Sequence, residues 1–255
     1  MRIARFLHEG EARYGRLDGD VVVVLQGNPI RDGAIETGET LALGRARLLP
    51  PVEPSATIIG IGMNYPPRPD GPQFPLPDEP KMFLKATASA IAPGQAIELP
   101  PVDGEVIHEG ELAVVIGRTV KRVSREDALD AVFGYTIAND VTARDQMLKD
   151  GLWARAKSYD TFCPLGPAID TEIDPAGAEI ATYVNGELRS SGNTSDLLFD
   201  VAHLVSHVSH VFTLQPGDVI LTGAPGGTRT IVPGDDVEIV ISGLGTLQSP
   251  VIARP

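Results

Sequence analysis

The chain is poor in the features that would define several broad classes of protein. It holds one cysteine, Cys163, among 255 residues, which excludes an internal disulfide framework. No apolar run approaches the ~18 residues that suggest a spanning helix. The opening stretch "MRIARFLHEGEARYG" has no apolar h-region, so no secretory signal is expected. Basic residues are scarce: 21 Lys and Arg stand against 34 Asp and Glu, a net charge of −13. Nucleic acid and anionic membranes both call for a basic face, so neither is expected as a partner. The expectation is a soluble, cytoplasmic protein, in which any anionic small-molecule substrate must be held by specific local cations.

What is present is ordinary core material and many turns. Apolar residues make up 42% and charged residues 22%, as in globular domains. The 27 glycines and 22 prolines point to short strands with frequent turns. Asp18-Gly19 marks a hairpin between strand formers, and residues 1–52 read as a small β subdomain ahead of a larger unit at 53–255. A buried strand is expected over residues 57–61. Residues 66–80 hold seven prolines in fifteen positions, a density no helix survives. That segment reads either as a rigid connector or as a lid over a pocket. Ser124 is placed to cap a short helix that Gly134 ends, and Thr142 to start another. Asn185-Gly186 signals a hairpin. Helical spacing of Leu197, Val201, Leu204, Val205 and Val208 predicts an amphipathic helix. Interrupted strands with few helices define a mixed β class, a sandwich or rolled barrel.

The chemistry centres on "HEGELAVVIG", residues 108–117. In a strand, Glu109 and Glu111 face the same way, about 6.6 Å apart. Two such carboxylates are either a solvated strand end or a pair with a cation between them. Asp140 ends "GYTIAND", and together the three acids form an all-oxygen set suited to Mg²⁺ or Mn²⁺. Arg144 is four residues beyond Asp140, on the same face if the segment is helical. Lys157 follows in "WARAKSYD". His203, His207 and His210 show i, i+4 spacing that zinc could use, or they lie on the wet face of the amphipathic helix. His108 points away from the two glutamates. The "GAPGGT" turn lacks the following "GK[ST]" of a phosphate cradle and reads as a turn.

In these stretches the chain resembles the fumarylacetoacetate hydrolase family. The resemblance rests on Gly62-Met63-Asn64-Tyr65, on the E-x-E strand at 109–117, and on residues 134–145, 157–167, 184–187, 193–199, 214–225 and 234–247. These motifs occur in the family's order over roughly residues 57–250. The resemblance implies a β-sandwich roll or barrel preceded by a small β domain. It also implies Mg²⁺ or Mn²⁺ on Glu109, Glu111 and Asp140, and Arg144 and Lys157 lining a pocket for 2-oxo acids or acylpyruvates. Members hydrolyse, decarboxylate or isomerise such substrates, usually as homodimers. Lys157 is then a candidate proton-transfer group or a structural partner of the site carboxylates. Tyr65, Arg68, Met147, Asp160 and Ala224 complete the expected substrate-binding set, with Asp160 either supporting Lys157 or capping a turn.

Four pocket positions depart from the family pattern. The histidine and glutamate expected after "N-Y" are Arg68 and Gly71, with Asp70 one place short. The glutamine seven residues after the metal aspartate is Met147, and Gln146, one place earlier, is rotated about 100° on a helix. The second threonine of "T-G-T-P" is Ala224. The expected function is therefore metal-dependent cleavage or rearrangement of a C–C bond beside a 2-oxo or β-diketo acid. A lyase, tautomerase, dehydratase or cyclase and a non-catalytic metal-dependent binder stand as alternatives.

Overall fold

In a computed structural model of the chain, all residues from 1 to 255 are described except Asp70, Pro72, Asp103 and Pro255. Alternation along Gly110–Ile116 organises the molecule. This strand is buried along its whole length, with Val132–Asn139 on one edge and Val219–Leu221 on the other. Leu112, Val114 and Ile116 join one core with Ile137, Ile180, Ile239 and Leu247. Ala113 and Val115 join a second with Ile58, Cys163 and Leu165. Burial on both faces explains why the run is nearly continuous in apolar residues.

The sheet holding this strand runs from Glu36–Ala42 through Val21–Leu25, Glu11–Asp18 and Arg2–His8 to Cys163–Asp170. It continues through Val132–Asn139, Gly110–Ile116, Val219–Leu221 and Ile58–Gly62 to Lys81–Lys85. The N-terminal hairpins are thus hydrogen-bonded into the larger sheet, with Arg2 opposite Asp170 and Ile3 opposite Ile169. A second sheet comprises Glu187–Asn193, Glu179–Val184, Asp236–Ile241, Gly245–Ala253 and Ile97–Leu99. Its apolar face packs on the first core, which makes the molecule a mostly β structure. No helix among the described residues is long and apolar enough to cross a membrane.

The hairpin expected at Asp18-Gly19 forms with its turn one residue later, at Gly19-Asp20, and Asn185-Gly186 closes its hairpin as expected, both residues of the latter lying at positive φ. The helix Val201–Val211 is capped by Asp200, which accepts from the His203 N–H. It starts after Leu197 because that residue follows a 3₁₀ turn at Thr194–Asp196. Three expectations need correction. The segment after Ser124 forms a single 3₁₀ turn at Ala128–Ala131, although Ser124 Oγ does accept from the Asp127 N–H. Gly134 lies inside the strand Val132–Asn139, because the apolar residues around it pair with Gly110–Ile116. The helix assigned to Thr142 starts at Arg144 instead; the Thr142 hydroxyl is engaged elsewhere, as described next.

Candidate active site

Register sets the three acids side by side. Gly110 pairs with Asn139 and Glu111 with Ala138, so Glu109 and Asp140 sit together where the two strands end. The Asp140 N–H donates to the Glu109 carbonyl at 2.8 Å, and the Glu109 N–H donates to Asn139 Oδ1 at 2.9 Å. One oxygen from each of Glu109, Glu111 and Asp140 lies within 4.8 Å of the others. Glu111 and Asp140 are 2% and 1% exposed. Asp140 directly follows the strand Val132–Asn139, so the shared helical face expected for Asp140 and Arg144 does not exist; a two-residue strand, Thr142–Ala143, separates Asp140 from the helix at Arg144.

Two buried lysines partly neutralise the cluster. Lys157 Nζ donates to Glu109 and, at 2.5 Å, to Asp140 Oδ2. Lys85 Nζ donates to Asp140 Oδ1 at 2.5 Å. Thr142 Oγ1 is 2.9 Å from both Glu109 Oε2 and the Asp140 carbonyl, which is why it caps no helix. Glu111 accepts from the Gly223 N–H at 2.6 Å. That backbone group is aimed by Asn64, which donates to the Thr222 and Phe199 carbonyls and accepts from the Phe199 N–H. Gly223 has φ +99°, and a Cβ there would lie 2.9 Å from Asn64 Cβ, so only glycine fits without strain.

These contacts set the proton affinities. Burial, then the neighbouring Asp140 and Glu109 charges, push Glu111 well above the ordinary carboxylate range. Burial also raises Glu109, against the pull of Lys157. Asp140 is lowered: burial opposes its ionisation, but Lys157 and Lys85 together outweigh it. Lys157 is raised despite burial, because Asp140, Glu109 and Glu111 surround it, so it is held as an ammonium. Its Nζ also lies 4.9 Å from the centroid of the Phe83 ring, a favourable cation–π distance. Phe83 packs edge-on against Trp153 at 5.4 Å, and the two rings fill the space left by Gly60 and Gly62.

The donor set fits a hard divalent cation. It is all oxygen and largely buried, and of the three acids only Glu109 and Asp140 are paired with lysine ammonium groups. Glu111 receives a backbone donor but no lysine, and a divalent cation at the cluster would supply the positive charge that favours its ionised form.

The cluster forms part of the wall of a cavity of about 570 Å³. Lys157, Arg144, Tyr65, Arg68, Met147 and Ala224 also line it. Arg144 pairs with Glu105 at 3.2 Å. The Tyr65 hydroxyl is buried without a hydrogen-bond partner among the described residues, and burial raises its proton affinity. Arg68, Gly71 and Phe74 bring the proline-rich segment to the wall; Asp70 lies outside the described residues. Gln146 is turned away to share a hydrogen bond with the Tyr159 hydroxyl.

Asp160 is not among the lining residues. Its carboxylate accepts from Arg254 at 2.7 Å, so it supports neither Lys157 nor the cavity. His203, His207 and His210 form no metal-ligating group among the described residues. His108 is fully buried outside the cavity lining, its Nε2 accepting from the Arg229 N–H at 3.3 Å. Sequence reasoning missed Lys85 and Arg229. Lys85 ends an apolar strand opposite Ile58, and a lysine inside such a strand was the available signal. Arg229 follows the glycines of "GAPGGT", a turn that carries no local signal for a cavity-lining arginine.

Three carboxylates at the joined ends of two strands, on the wall of a cavity within a mostly β fold, form a candidate metal centre. Comparison with known proteins gives the family. Residues 57–252 match the fumarylacetoacetate (FAA) hydrolase C-terminal domain, and residues 1–51 match the Rv2993c-like N-terminal domain. The chain belongs to the fumarylacetoacetate hydrolase family and is an enzyme of that superfamily. It is 43% identical to a 5-carboxymethyl-2-hydroxymuconate delta-isomerase from Mycobacterium smegmatis, with a TM-score of 0.93 and 100% of both chains covered. It is 41% identical over 216 residues to the human mitochondrial oxaloacetate tautomerase FAHD2A, covering 80% of this chain and 69% of that protein. It is 33% identical to a maleylpyruvate hydrolase from Sphingobium sp. SYK-6, whose structure contains manganese(II) and pyruvate, with a TM-score of 0.83 and 100% of both chains covered.

Proposed function

We propose that this enzyme interconverts the enol and keto forms of a 2-oxo acid in a divalent-metal-dependent reaction. The observation that carries the reading is the buried cluster of Glu109, Glu111 and Asp140 with the Lys157 ammonium on the wall of one cavity. Glu109, Glu111 and Asp140 would hold Mg²⁺ or Mn²⁺; when bound, the ion acts as a Lewis acid toward the 2-oxo carboxylate and lowers the cost of enolisation. Relatives that act on an enol or keto acid, the isomerase and the tautomerase, support the substrate class.

The residues of the chain assign the proton work. In the enol-to-keto direction, the enol O–H loses a proton and C3 gains one. Lys157, fixed at the cavity wall by Glu109 and Asp140, gives a proton to C3, and its neutral amine then takes the proton leaving the enol oxygen, so the lysine ends the cycle as the ammonium its carboxylate neighbours favour. Phe83 and Asp140 keep its Nζ in one place, which limits the reorganisation the step requires. Arg144, at the cavity wall, retains guanidinium N–H groups beyond the one given to Glu105 and can receive the substrate carboxylate. Rearrangement is favoured over hydrolysis because no histidine is among the described residues lining the cavity, and Arg68 and Gly71 stand where the resemblance expects a water-activating pair.

The test follows the enol absorbance of oxaloacetate with purified protein after chelation and after Mg²⁺ or Mn²⁺ is restored. The expected result is a metal-dependent acceleration of tautomerisation that Glu111→Gln abolishes. Release of pyruvate at a rate matching the enol loss would make the enzyme a decarboxylase and overturn the assignment. A rate equal to that of metal-containing buffer would overturn it as well.

A further inference from the structure

We propose that Asn64 is a positioning residue for the metal centre: it locks the Thr222–Gly223 peptide with its N–H toward Glu111, and so sets the affinity for a divalent ion. The inference rests on the metal-dependent reading of the cluster. It adds a residue that belongs neither to the carboxylate set nor to the described lining of the cavity.

One peptide group carries the connection. Asn64 Nδ2 donates to the Thr222 carbonyl at 2.8 Å, and the Gly223 N–H donates to Glu111 Oε2 at 2.6 Å. That carbonyl and that N–H are the two ends of a single trans peptide, whose planarity makes them point in opposite directions. Holding the oxygen therefore aims the N–H. Polarisation works the same way, since a hydrogen bond accepted by the carbonyl strengthens the N–H as a donor. Among the described residues no hydrogen bond engages Glu111 Oε1, so one carboxylate oxygen is fixed and the other stays available as a ligand atom.

Glycine makes a lock necessary. Gly223 lies at φ +99°, and turning the peptide over would carry it to about −80°, an angle that glycine adopts just as readily. The turned peptide would present the Thr222 carbonyl, the negative end of its dipole, to Glu111. The Thr222 N–H and hydroxyl both donate to the Leu112 carbonyl at 3.0 Å. Those bonds anchor the residue before the peptide and leave the peptide itself free to turn. Asn64 supplies the missing constraint.

The side chain is itself held in one orientation. Asn64 is 1% exposed. Its Nδ2 also donates to the Phe199 carbonyl at 3.1 Å, and its Oδ1 accepts from the Phe199 N–H at 2.9 Å. Two carbonyls around the nitrogen and an N–H at the oxygen allow the amide only one way round. The Leu198 N–H donates to the Asn64 carbonyl at 2.8 Å, which fixes the backbone. A Cβ on Gly223 would lie 2.9 Å from Asn64 Cβ and 3.1 Å from the Ile61 carbonyl oxygen, so the glycine that permits the turn also admits the lock. Three stretches that carry the family resemblance, 62–65, 193–199 and 214–225, thus meet at one side chain.

Thr-Gly occurs twice in the chain, at 37–38 and 222–223. Protein labelled with ¹³C at threonine carbonyls and ¹⁵N at glycine therefore gives two cross-peaks in a carbonyl-to-amide NMR correlation, exposed Gly38 serving as the reference. In the unaltered protein, Mg²⁺ should move the 222–223 peak and leave the other in place. Asn64→Ala should shift the Gly223 amide proton upfield. It should also raise the dissociation constant for Mn²⁺, read from the paramagnetic resonance of the free ion, by about tenfold or more, the scale of losing an outer partner of a metal ligand. Asn64→Asp keeps the acceptor for the Phe199 N–H but has no donor for Thr222, and should do the same. Asp200→Ala weakens the neighbouring helix cap and should change neither readout; if it changed both, loop stability alone would explain the effect and the proposal would fall. A 222–223 peak unmoved in the Asn64 variants overturns the proposal, as does a moved peak with Mn²⁺ affinity within about twofold of the unaltered protein. Should neither Asn64 variant fold, the Mg²⁺ titration decides: a 222–223 peak indifferent to the bound ion is refutation. Unaltered protein that binds no Mn²⁺ overturns the metal reading and this proposal together, whereas the other failures leave that reading standing.

Discussion

Replacing Lys85 by methionine isolates the electrostatics of the cluster. The Lys85 side chain is 0% exposed and its Asp140 partner 2%, with Nζ and Oδ1 2.5 Å apart. Methionine fills nearly the same volume but leaves Oδ1 without its ammonium partner. Removing one member of a buried pair costs about 3–5 kcal/mol. Lys157 still serves Oδ2, so the lower end, about 3 kcal/mol, is expected. At about 2–4 °C per kcal/mol for a chain of this size, the melting temperature should fall by about 6–12 °C. The measurement is made in a chelator, so that no divalent ion substitutes for the lost charge. Asp140→Asn, alone and combined with Lys85→Met, closes a double-mutant cycle. If an uncompensated carboxylate is the cause, the second substitution should recover part of the loss, with a coupling energy of at least about 1.5 kcal/mol. A melting temperature lowered by less than about 2 °C, or additivity within about 0.5 kcal/mol, would refute the reasoning.

Two further substitutions test the scaffold around the site. Asp200→Ala removes the oxygen that accepts from the His203 N–H; it should cost about 1 kcal/mol and leave metal affinity unchanged, as unfolding and metal titration would report. Gly62→Ala places a Cβ against the Trp153 ring. It should displace the indole, shift its emission to the red and weaken the edge contact that steadies Phe83 beneath Lys157; an unchanged spectrum would show that the ring had room to spare.

How much of this was legible in the sequence depended on whether the signal was local. Alternation placed Glu109 and Glu111 on one face, and strand register then did what spacing alone could not, setting Asp140 beside Glu109. The hairpin at Asn185-Gly186 was legible because left-handed backbone at both turn positions selects those residue types. The misreadings share one cause. Gly134 resembles a helix stop, but the strand pairing of its neighbours overrides that local signal. Thr142 has the composition of a cap, but its hydroxyl is claimed by Glu109. Asp160 is close to Lys157 in sequence, yet its partner, Arg254, is 94 residues away. Lys85 is the converse: nothing local marks it, and only the fold brings it to Asp140. Long-range pairing decided each case.

The departures from the family pattern gain meaning from where they fall. Arg68, Gly71, Met147 and Ala224 are scattered over more than 150 positions, yet all four line one cavity with Glu109, Glu111, Asp140 and Lys157. The part of the cavity that would hold a cation and move a proton keeps the expected residues, while the part that would meet the rest of the substrate has changed. The changes also share a chemical direction. A glutamate gives way to glycine, a glutamine to methionine and a threonine to alanine, so that wall loses polar groups. A wall without those polar groups offers an apolar surface to the part of the substrate beyond its keto-acid head.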